Sequence, residues 1–594
     1  MARQKWNPRM KPRIVVVFYA MFLFVGYLAY NLVSVQAQQR EKLKGIALQQ
    51  HVGVLALPAL RGTITDRNRQ VLAASLTMPS VAGNPREFRK VKDFTAGCLF
   101  LSKTLGVPEN EVRQMMAGKG TFVWLARKVP QDVADLIERE TKPAGKGKPA
   151  RLAGVFILRE PTGKRFYPKG RLGVHILGYT GIDDNGLDGI EAVLDPTLKG
   201  KPGRLEAEMD RDGRVIPGGY SKRVPAEPGH TVVLTIDESI QYVVERELAK
   251  VVRQQKAKGA IAVVLDARTG DVLAMANKPD YSTRDFSSVP AGLRKCRAIT
   301  DSYEPGSTFK IVLAAAALDS GKVTMGEQFF CGNSIVIDGW TVHNADDGAS
   351  SAAGSETLKE IITWSFNVGT SSVALKMGKR TYFDYICKFG FGEVTGIALP
   401  GETEGIVQPF NDWANITLAT NSFGQGITVT PLQLASACQA IANKGVMMKP
   451  RLVKEILSAD GKVVRSIPPA VRRRVVSEAT SYQMREILRN VVEKGTGKKA
   501  EVAGFPVAGK TGTAQVVEGG GYAGGRYVAS FVGYAPAHDP RIVAIVKVEE
   551  PGAGVIWGGA VAAPVFHAIA KETMWRLGVQ PVMLHATKTD AGEE

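Results

Sequence analysis

The sequence predicts an α+β protein, with one antiparallel sheet carrying helices on its faces, behind a single membrane-spanning helix. Three observations predict it. Apolar strand-like runs open and close the C-terminal half, a largely helical block separates them, and one long uncharged stretch stands near the N-terminus. The 594 residues imply more than one domain, and with 44% apolar residues sizeable cores can form.

The uncharged stretch, Ile14 to Val35, comes first in the chain. As a helix it is roughly 33 Å long, enough to cross the hydrocarbon core of a bilayer. Arg3, Lys5, Arg9, Lys11 and Arg13 precede it without an acid. They predict a cytoplasmic tail over 1–13, a single-pass transmembrane helix over 14–35, and the remainder outside the cytoplasm. A cleaved signal peptide is the alternative. Val35-Gln36-Ala37 faintly resembles a cleavage site, but the apolar run exceeds the usual signal length.

Residues 36–58 read as a stalk, polar and helical from Gln36 to Gln50. Residues 59–254 form a patchwork of short strands, turns and helices. Arg61 to Arg67 and Val71 to Ala73 suggest two strands around a turn, and Gly186 to Glu191 opens a helix running to about Leu194. Lys199 to Pro202 and Pro217 to Pro228 are turn-rich. The texture changes over 255–577. Ala260–Leu265 and Val272–Ala276 are apolar strands around Thr269-Gly270. Pro305 to Val492 is largely helical. Strands return at Phe505–Val517, Tyr527–Ala535 and Arg541–Val548, then a helix at Ala562–Leu577 and a polar tail over 578–594.

The net charge of +19 suits anionic partners. No recognition helix, zinc-finger spacing or aromatic RNA-binding signature accompanies it, so nucleic acid is excluded in favour of acidic envelope substrates. Cys98, Cys296, Cys331, Cys387 and Cys438 are odd in number and widely spaced. They rule out a small-domain disulfide framework, leave one bridge open, and otherwise read as buried small hydrophobes.

Three short motifs carry chemistry. Ser307-Thr308-Phe309-Lys310 follows Glu304-Pro305-Gly306 and precedes the apolar run Ile311–Leu318. This places Ser307 at a helix N-terminus, with Lys310 on the same face. A serine hydroxyl needs an adjacent base, and Lys310 can serve if burial strips its charge. Alone, the pattern is equally a helix cap followed by an exposed lysine. Ser365-Phe366-Asn367 can aim a hydroxyl and a carboxamide into one cleft; alone, it is a helix-capping serine. Lys510-Thr511-Gly512-Thr513 lies in a strand pattern, with a cation, two hydroxyls suited to a carboxylate, and a glycine admitting close approach. Alone, it is a strand-edge turn.

Together, in this order, the motifs resemble those of the penicillin-recognising acyltransferases. Arg61-Gly62-x-Ile64-x-Asp66-Arg67, Arg165-Phe166-Tyr167-Pro168 and Gly186-x-x-Gly189-x-Glu191 are similar to the pedestal motifs of the class B, monofunctional penicillin-binding proteins. Arg69 replaces their usual turn glycine. The resemblance implies a transpeptidase fold over 255–577 on an elongated pedestal, or dimerisation-type, domain over 59–254. It implies a D,D-transpeptidase of peptidoglycan biosynthesis, with Ser307 as nucleophile and Lys310 as its base. Ser365 and Lys510 would relay a proton to the leaving amine. Asn367 would hold the peptide amide, and Thr511, Gly512 and Thr513 the terminal carboxylate. No metal or cofactor is required. The implied partners are stem peptides, lipid-linked nascent glycan, β-lactams as inhibitors, and a multispanning glycan polymerase with other division proteins.

Ser365-Phe366-Asn367-Val368-Gly369, Phe423-Gly424-Gln425-Gly426 with Thr430-Pro431-Leu432-Gln433-Leu434, and Gly559-x-Val561-Ala562-Ala563-Pro564-Val565-Phe566 resemble the septal, cell-division branch. Elongation or sporulation relatives remain the alternatives, as does a divisome scaffold or β-lactam sensor with little catalysis. Glu486 to Asn490 matches the Glu-x-x-x-Asn string of class A β-lactamases, but it lies in a helical pattern too close to Lys510, which marks it as coincidence.

The orientation has a direct check. A reporter active only outside the cytoplasm, fused after Glu594, should be active; a signal from a cytoplasm-only reporter at that point would reverse the topology.

Overall fold

The computed structural model describes residues 10–43, 45, 52–57, 59–143, 150–159, 164–210, 215–283, 286–345, 354–518 and 521–582. The expected tail before residue 10, much of the stalk after 43 and the chain end after 582 lie outside them.

The described chain divides into two compact units, 1–59 with 201–227, and 60–200 with 228–594. In the first unit, Pro12–Ala37 is one helix long and apolar enough to cross a membrane, with mean hydropathy 1.9. None of its most apolar stretch is buried. Val52–Leu57, inside the stretch read as stalk, is a strand. It pairs antiparallel with Gly203–Glu208, which pairs with Ser221–Val224.

The second unit is built on a five-stranded antiparallel sheet. The helix α1 (Glu238–Gln255) precedes β1 (Gly259–Asp266) and β2 (Val272–Lys278). Then come α2 (Lys310–Asp319), α3 (Leu358–Trp364), α4 (Asn367–Met377) and α5 (Pro431–Ala442). After α6 (Glu478–Glu493), the strands β3 (Ala508–Glu518), β4 (Gly521–Ala535) and β5 (Ile542–Glu549) complete the sheet, and α7 (Ala563–Arg576) follows. The order across the sheet is β2-β1-β5-β4-β3. The strand carrying Lys510 to Thr513 is therefore an edge.

The alternation of side chains along β1 explains the layers. Ile261, Val263 and Leu265 join one apolar cluster with α2 and α5, while Ala260, Ala262 and Val264 join another with α1 and α7. With both faces covered, β1 reads as a continuous apolar run. The helix α2 is buried throughout, from Lys310 to Leu318. Its alanines, Ala314 to Ala317, let neighbouring elements pack closely around it.

The block expected to be largely helical also holds strands. Short antiparallel pairs join Gln328–Cys331 to Gly354–Thr357, Ser334–Ile337 to Trp340–His343, and Val446–Met448 to Val471–Arg474. These runs of four residues or fewer are too short for a periodicity signal. A six-stranded sheet draws its strands from distant parts of the chain, including Ile64–Thr65, Val71–Leu76, Thr231–Leu234 and Val453–Leu457. All five cysteines are free thiols, four of them buried.

The three N-terminal motifs meet around Glu191, which has no exposed surface. Its Oε2 accepts from Arg61 Nε at 2.7 Å and its Oε1 from Arg165 Nε at 2.6 Å. Arg61 also donates to the Asp184 and Glu191 carbonyls at 3.0 and 2.7 Å, and Arg165 to the Gly62 carbonyl at 2.7 Å. Two buried guanidiniums flank one buried carboxylate, so removing it takes from Arg165 its carboxylate partner and leaves Arg61 with Asp195 alone. Glu191→Ala should cost about 3–5 kcal/mol in urea unfolding. Glu227→Ala, which breaks the exposed Lys201–Glu227 pair, should cost at most about 1 kcal/mol. Equal losses would remove the special standing of Glu191.

Candidate active site

Ser307 lies in a 3₁₀ turn, Gly306–Phe309, that leads directly into α2 at Lys310. The helix start expected for Ser307 is thus one tighter turn before the α-helix. Thr308 ties this turn, its hydroxyl donating to the Pro305 carbonyl at 2.7 Å.

Lys310 is fully buried. Its Nζ donates to the Ser365 carbonyl at 2.6 Å, to Asn367 Oδ1 at 2.8 Å and to Ser365 Oγ at 3.3 Å. The first two expected motifs are therefore in direct contact. The loop that brings them together is sharply made. A capping box between Thr357 and Glu360 starts α3, which ends at Ser365 with φ +63°. This left-handed conformation is uncommon for a serine and turns the chain at once into α4. Asn367 donates through Nδ2 to the His343 carbonyl at 3.1 Å, and Asn344 Oδ1 accepts from the Val368 N–H at 3.0 Å.

The third motif lines the same cleft. Ser307, Ser365, Thr511 and Thr513 all face a space of about 280 Å³, together with Trp364, Thr496, Lys498, Lys499 and Trp557. Lys510 is fully buried, donating to the Thr511 carbonyl at 3.2 Å and to Thr511 Oγ1 at 3.4 Å. The Thr511 and Thr496 hydroxyls are 2.7 Å apart, and Thr513 Oγ1 accepts from the Gly558 N–H at 3.1 Å.

Two glycines make the assembly possible. A Cβ on Gly512 would lie 2.8 Å from the Thr308 methyl and 3.1 Å from the Pro305 carbonyl, so β3 and the turn bearing Ser307 touch only because it is absent. Gly424 has φ +80°, and a Cβ there would stand 2.3 Å from the Gly306 carbonyl oxygen. The Gly306 N–H donates to the Gly424 carbonyl at 3.1 Å. Glu304 holds the same loop, its Oε1 accepting from the Gly426 N–H at 2.8 Å. Burial pushes the Glu304 carboxyl above its ordinary value.

Sequence reasoning did not single out Asn344, Thr496, Lys498, Lys499 or Trp557. The strings around Gly424 and Gly559 were taken only as branch markers, yet both pack on the site; a Cβ on Gly559 would stand 2.3 Å from the Thr496 carbonyl. Thr430 to Leu434 is structural as well. Thr430 and Gln433 form the capping box of α5, at 3.1 and 2.8 Å. Glu486 pairs with Lys359 at 2.7 Å and does not line the cleft.

Comparison with known proteins agrees with this geometry. The model of the penicillin-binding protein transpeptidase domain matches residues 260–571, and that of the penicillin-binding protein dimerisation domain matches 56–234. Stage V sporulation protein D of Bacillus subtilis is 34% identical, over 96% of this chain and 85% of its own length. The probable peptidoglycan D,D-transpeptidase PenA of Neisseria gonorrhoeae is 33% identical, over 98% and 97%. The crystal structure of penicillin-binding protein 3 from Mycobacterium tuberculosis, complexed with aztreonam, superposes with a TM-score of 0.67 at 30% identity, covering 89% of this chain and 98% of that one. Fold and site define a penicillin-binding transpeptidase module behind a dimerisation domain. The chain belongs to the class B penicillin-binding proteins.

Gly424→Ala tests the contact with the turn bearing Ser307. It should slow acylation by benzylpenicillin about 100-fold, the cost of a displacement near 1 Å, while circular dichroism stays unchanged. An acylation rate equal to wild type would show that the turn does not depend on this glycine.

Proposed function

We propose that this protein is a peptidoglycan D,D-transpeptidase working through a Ser307 acyl-enzyme. The observation that carries the proposal is the buried Lys310 amine, whose Nζ is bound to both polar residues of the Ser365-to-Asn367 loop. A buried amine loses its charge more readily than one in water, and a neutral Lys310 can take the Ser307 proton. The Ser307 oxygen then attacks the carbonyl between two terminal D-alanines. The amide C–N bond breaks, and the leaving D-alanine takes a proton through Ser365 and Lys510. An amine of a second stem peptide attacks the ester, the C–O bond breaks, and Ser307 regains its proton.

Each remaining residue has a task suited to its chemistry. Asn367 holds the donor's amide. Thr511 and Thr513 hold the terminal carboxylate, with Gly512 allowing the close approach. The Ser307 and Thr513 N–H groups receive the developing oxyanion. The free edge of β3 supports an extended donor peptide by adding it as a strand. β-Lactams, one of which is bound in the mycobacterial structure, acylate Ser307 as mimics of the donor. The apolar helix holds the enzyme in the inner membrane with the catalytic module outside, beside lipid-linked glycan and its multispanning polymerase.

The septal role is the finer part of the proposal, and it rests on the strings around Gly424, Thr430 and Gly559. The similarity to a sporulation protein keeps sporulation as the second reading.

Mass spectrometry of the protein after benzylpenicillin should show a stable adduct, absent in folded Ser307→Ala and strongly reduced in Lys310→Ala. Undiminished labelling of Ser307→Ala would sink the assignment. Depletion in growing cells should give filaments with blocked septa; swollen cells with normal septa would point to elongation, and failure only in spore formation to the sporulation relative.

A further inference from the structure

Lys498 and Lys499 form a short 3₁₀ turn, Lys498–Ala500, between α6 and β3. Both side chains are exposed and both line the catalytic cleft beside Ser307. Among the described residues neither makes an ion pair or a hydrogen bond. The nearby acids in sequence are engaged elsewhere, since Arg489 pairs with both Glu493 and Glu501. Two adjacent cations repel each other, and a cleft that leaves both unneutralised favours an anion.

The turn is held firmly. A Cβ on Gly495 would stand 2.3 Å from the Thr363 carbonyl of α3, and the Thr496 carbonyl lies against Gly559. The Thr496 hydroxyl is 2.7 Å from that of Thr511. The backbone bearing the lysines is thus fixed to α3, to the segment before α7 and to the strand assigned to the donor's terminal carboxylate. A fixed backbone with exposed charged tips is suited to selecting a substrate group.

We propose that Lys498 and Lys499 form a specificity subsite for a second carboxylate on the donor peptide, carried by the residue preceding its two D-alanines. This rests on the acyl-enzyme function above. The enzyme then prefers stem peptides whose side-branch carboxylate is free over those in which it is a carboxamide.

The test uses the full-length protein in detergent and two pentapeptide donors ending in D-alanyl-D-alanine. They differ only in a carboxylate or a carboxamide on the third residue. Wild type should favour the carboxylate donor in kcat/KM by about 5- to 10-fold, the range of two exposed charge contacts, and high salt should shrink the ratio. The double variant K498A/K499A should bring the ratio to about one, and K498R/K499R should restore it. Labelling of Ser307 by benzylpenicillin runs alongside. A ratio unchanged in K498A/K499A with labelling intact overturns the subsite, as does equal loss with both donors. Failure of the wild type to label overturns the acyl-enzyme function instead, and the subsite with it.

Discussion

Burial of Lys310 is the constraint on which the catalytic module depends. An amine without access to water must find its partners inside the protein. Its acceptors, Ser365 and Asn367, lie 55 and 57 residues further along the chain. The intervening segment must therefore fold back so that α3 ends, and α4 begins, directly over the start of α2. The left-handed Ser365 is the local consequence of that closure, a strained conformation tolerated where the surroundings over-determine it. The apolar body of α2, wrapped on all sides, keeps the lysine from swinging out to solvent.

The same logic of close approach governs the other side of the cleft. The edge strand β3 reaches the turn bearing Ser307 only where a side chain is missing, at Gly512, and the loop at Gly424 packs against the same turn. Backbone contacts of this kind are stiff, because no rotamer change can relieve them. They place Ser307, Thr511 and Thr513 around one small space. Around Glu191 the device is different: two guanidiniums and one carboxylate, all buried, cross-link segments 130 residues apart in sequence.

Much of this was legible in the sequence. The sheet strands stood out because β1, β2 and β5 are buried on both faces, which leaves long apolar runs. Ser307, Lys310, Ser365, Asn367 and Lys510 to Thr513 stood out because three spaced motifs occur in one order. What was not legible falls into two kinds. The short hairpins inside the helical block give too few residues for a period. Thr496, Lys498, Lys499 and Trp557 are ordinary residue types in no shared motif, and only their position makes them part of the cleft, as only position sets Asn344 against the loop at Val368.

By itself, the sequence determined the chemistry on offer: a serine three residues before a lysine, a hydroxyl and carboxamide in a loop, a lysine and two threonines on a strand, and an apolar helix ahead of them. These follow from residue identity and local periodicity, which neighbours along the chain dictate. The tertiary structure alone decided which of these groups touch. Contacts between Lys310 and Asn367, Gly424 and Gly306, or Thr496 and Thr511 depend on how distant segments pack, and packing is set by the summed burial of apolar faces. No local pattern encodes that sum, and only packing shows that the strings around Gly424 and Gly559 also support the site through their backbone.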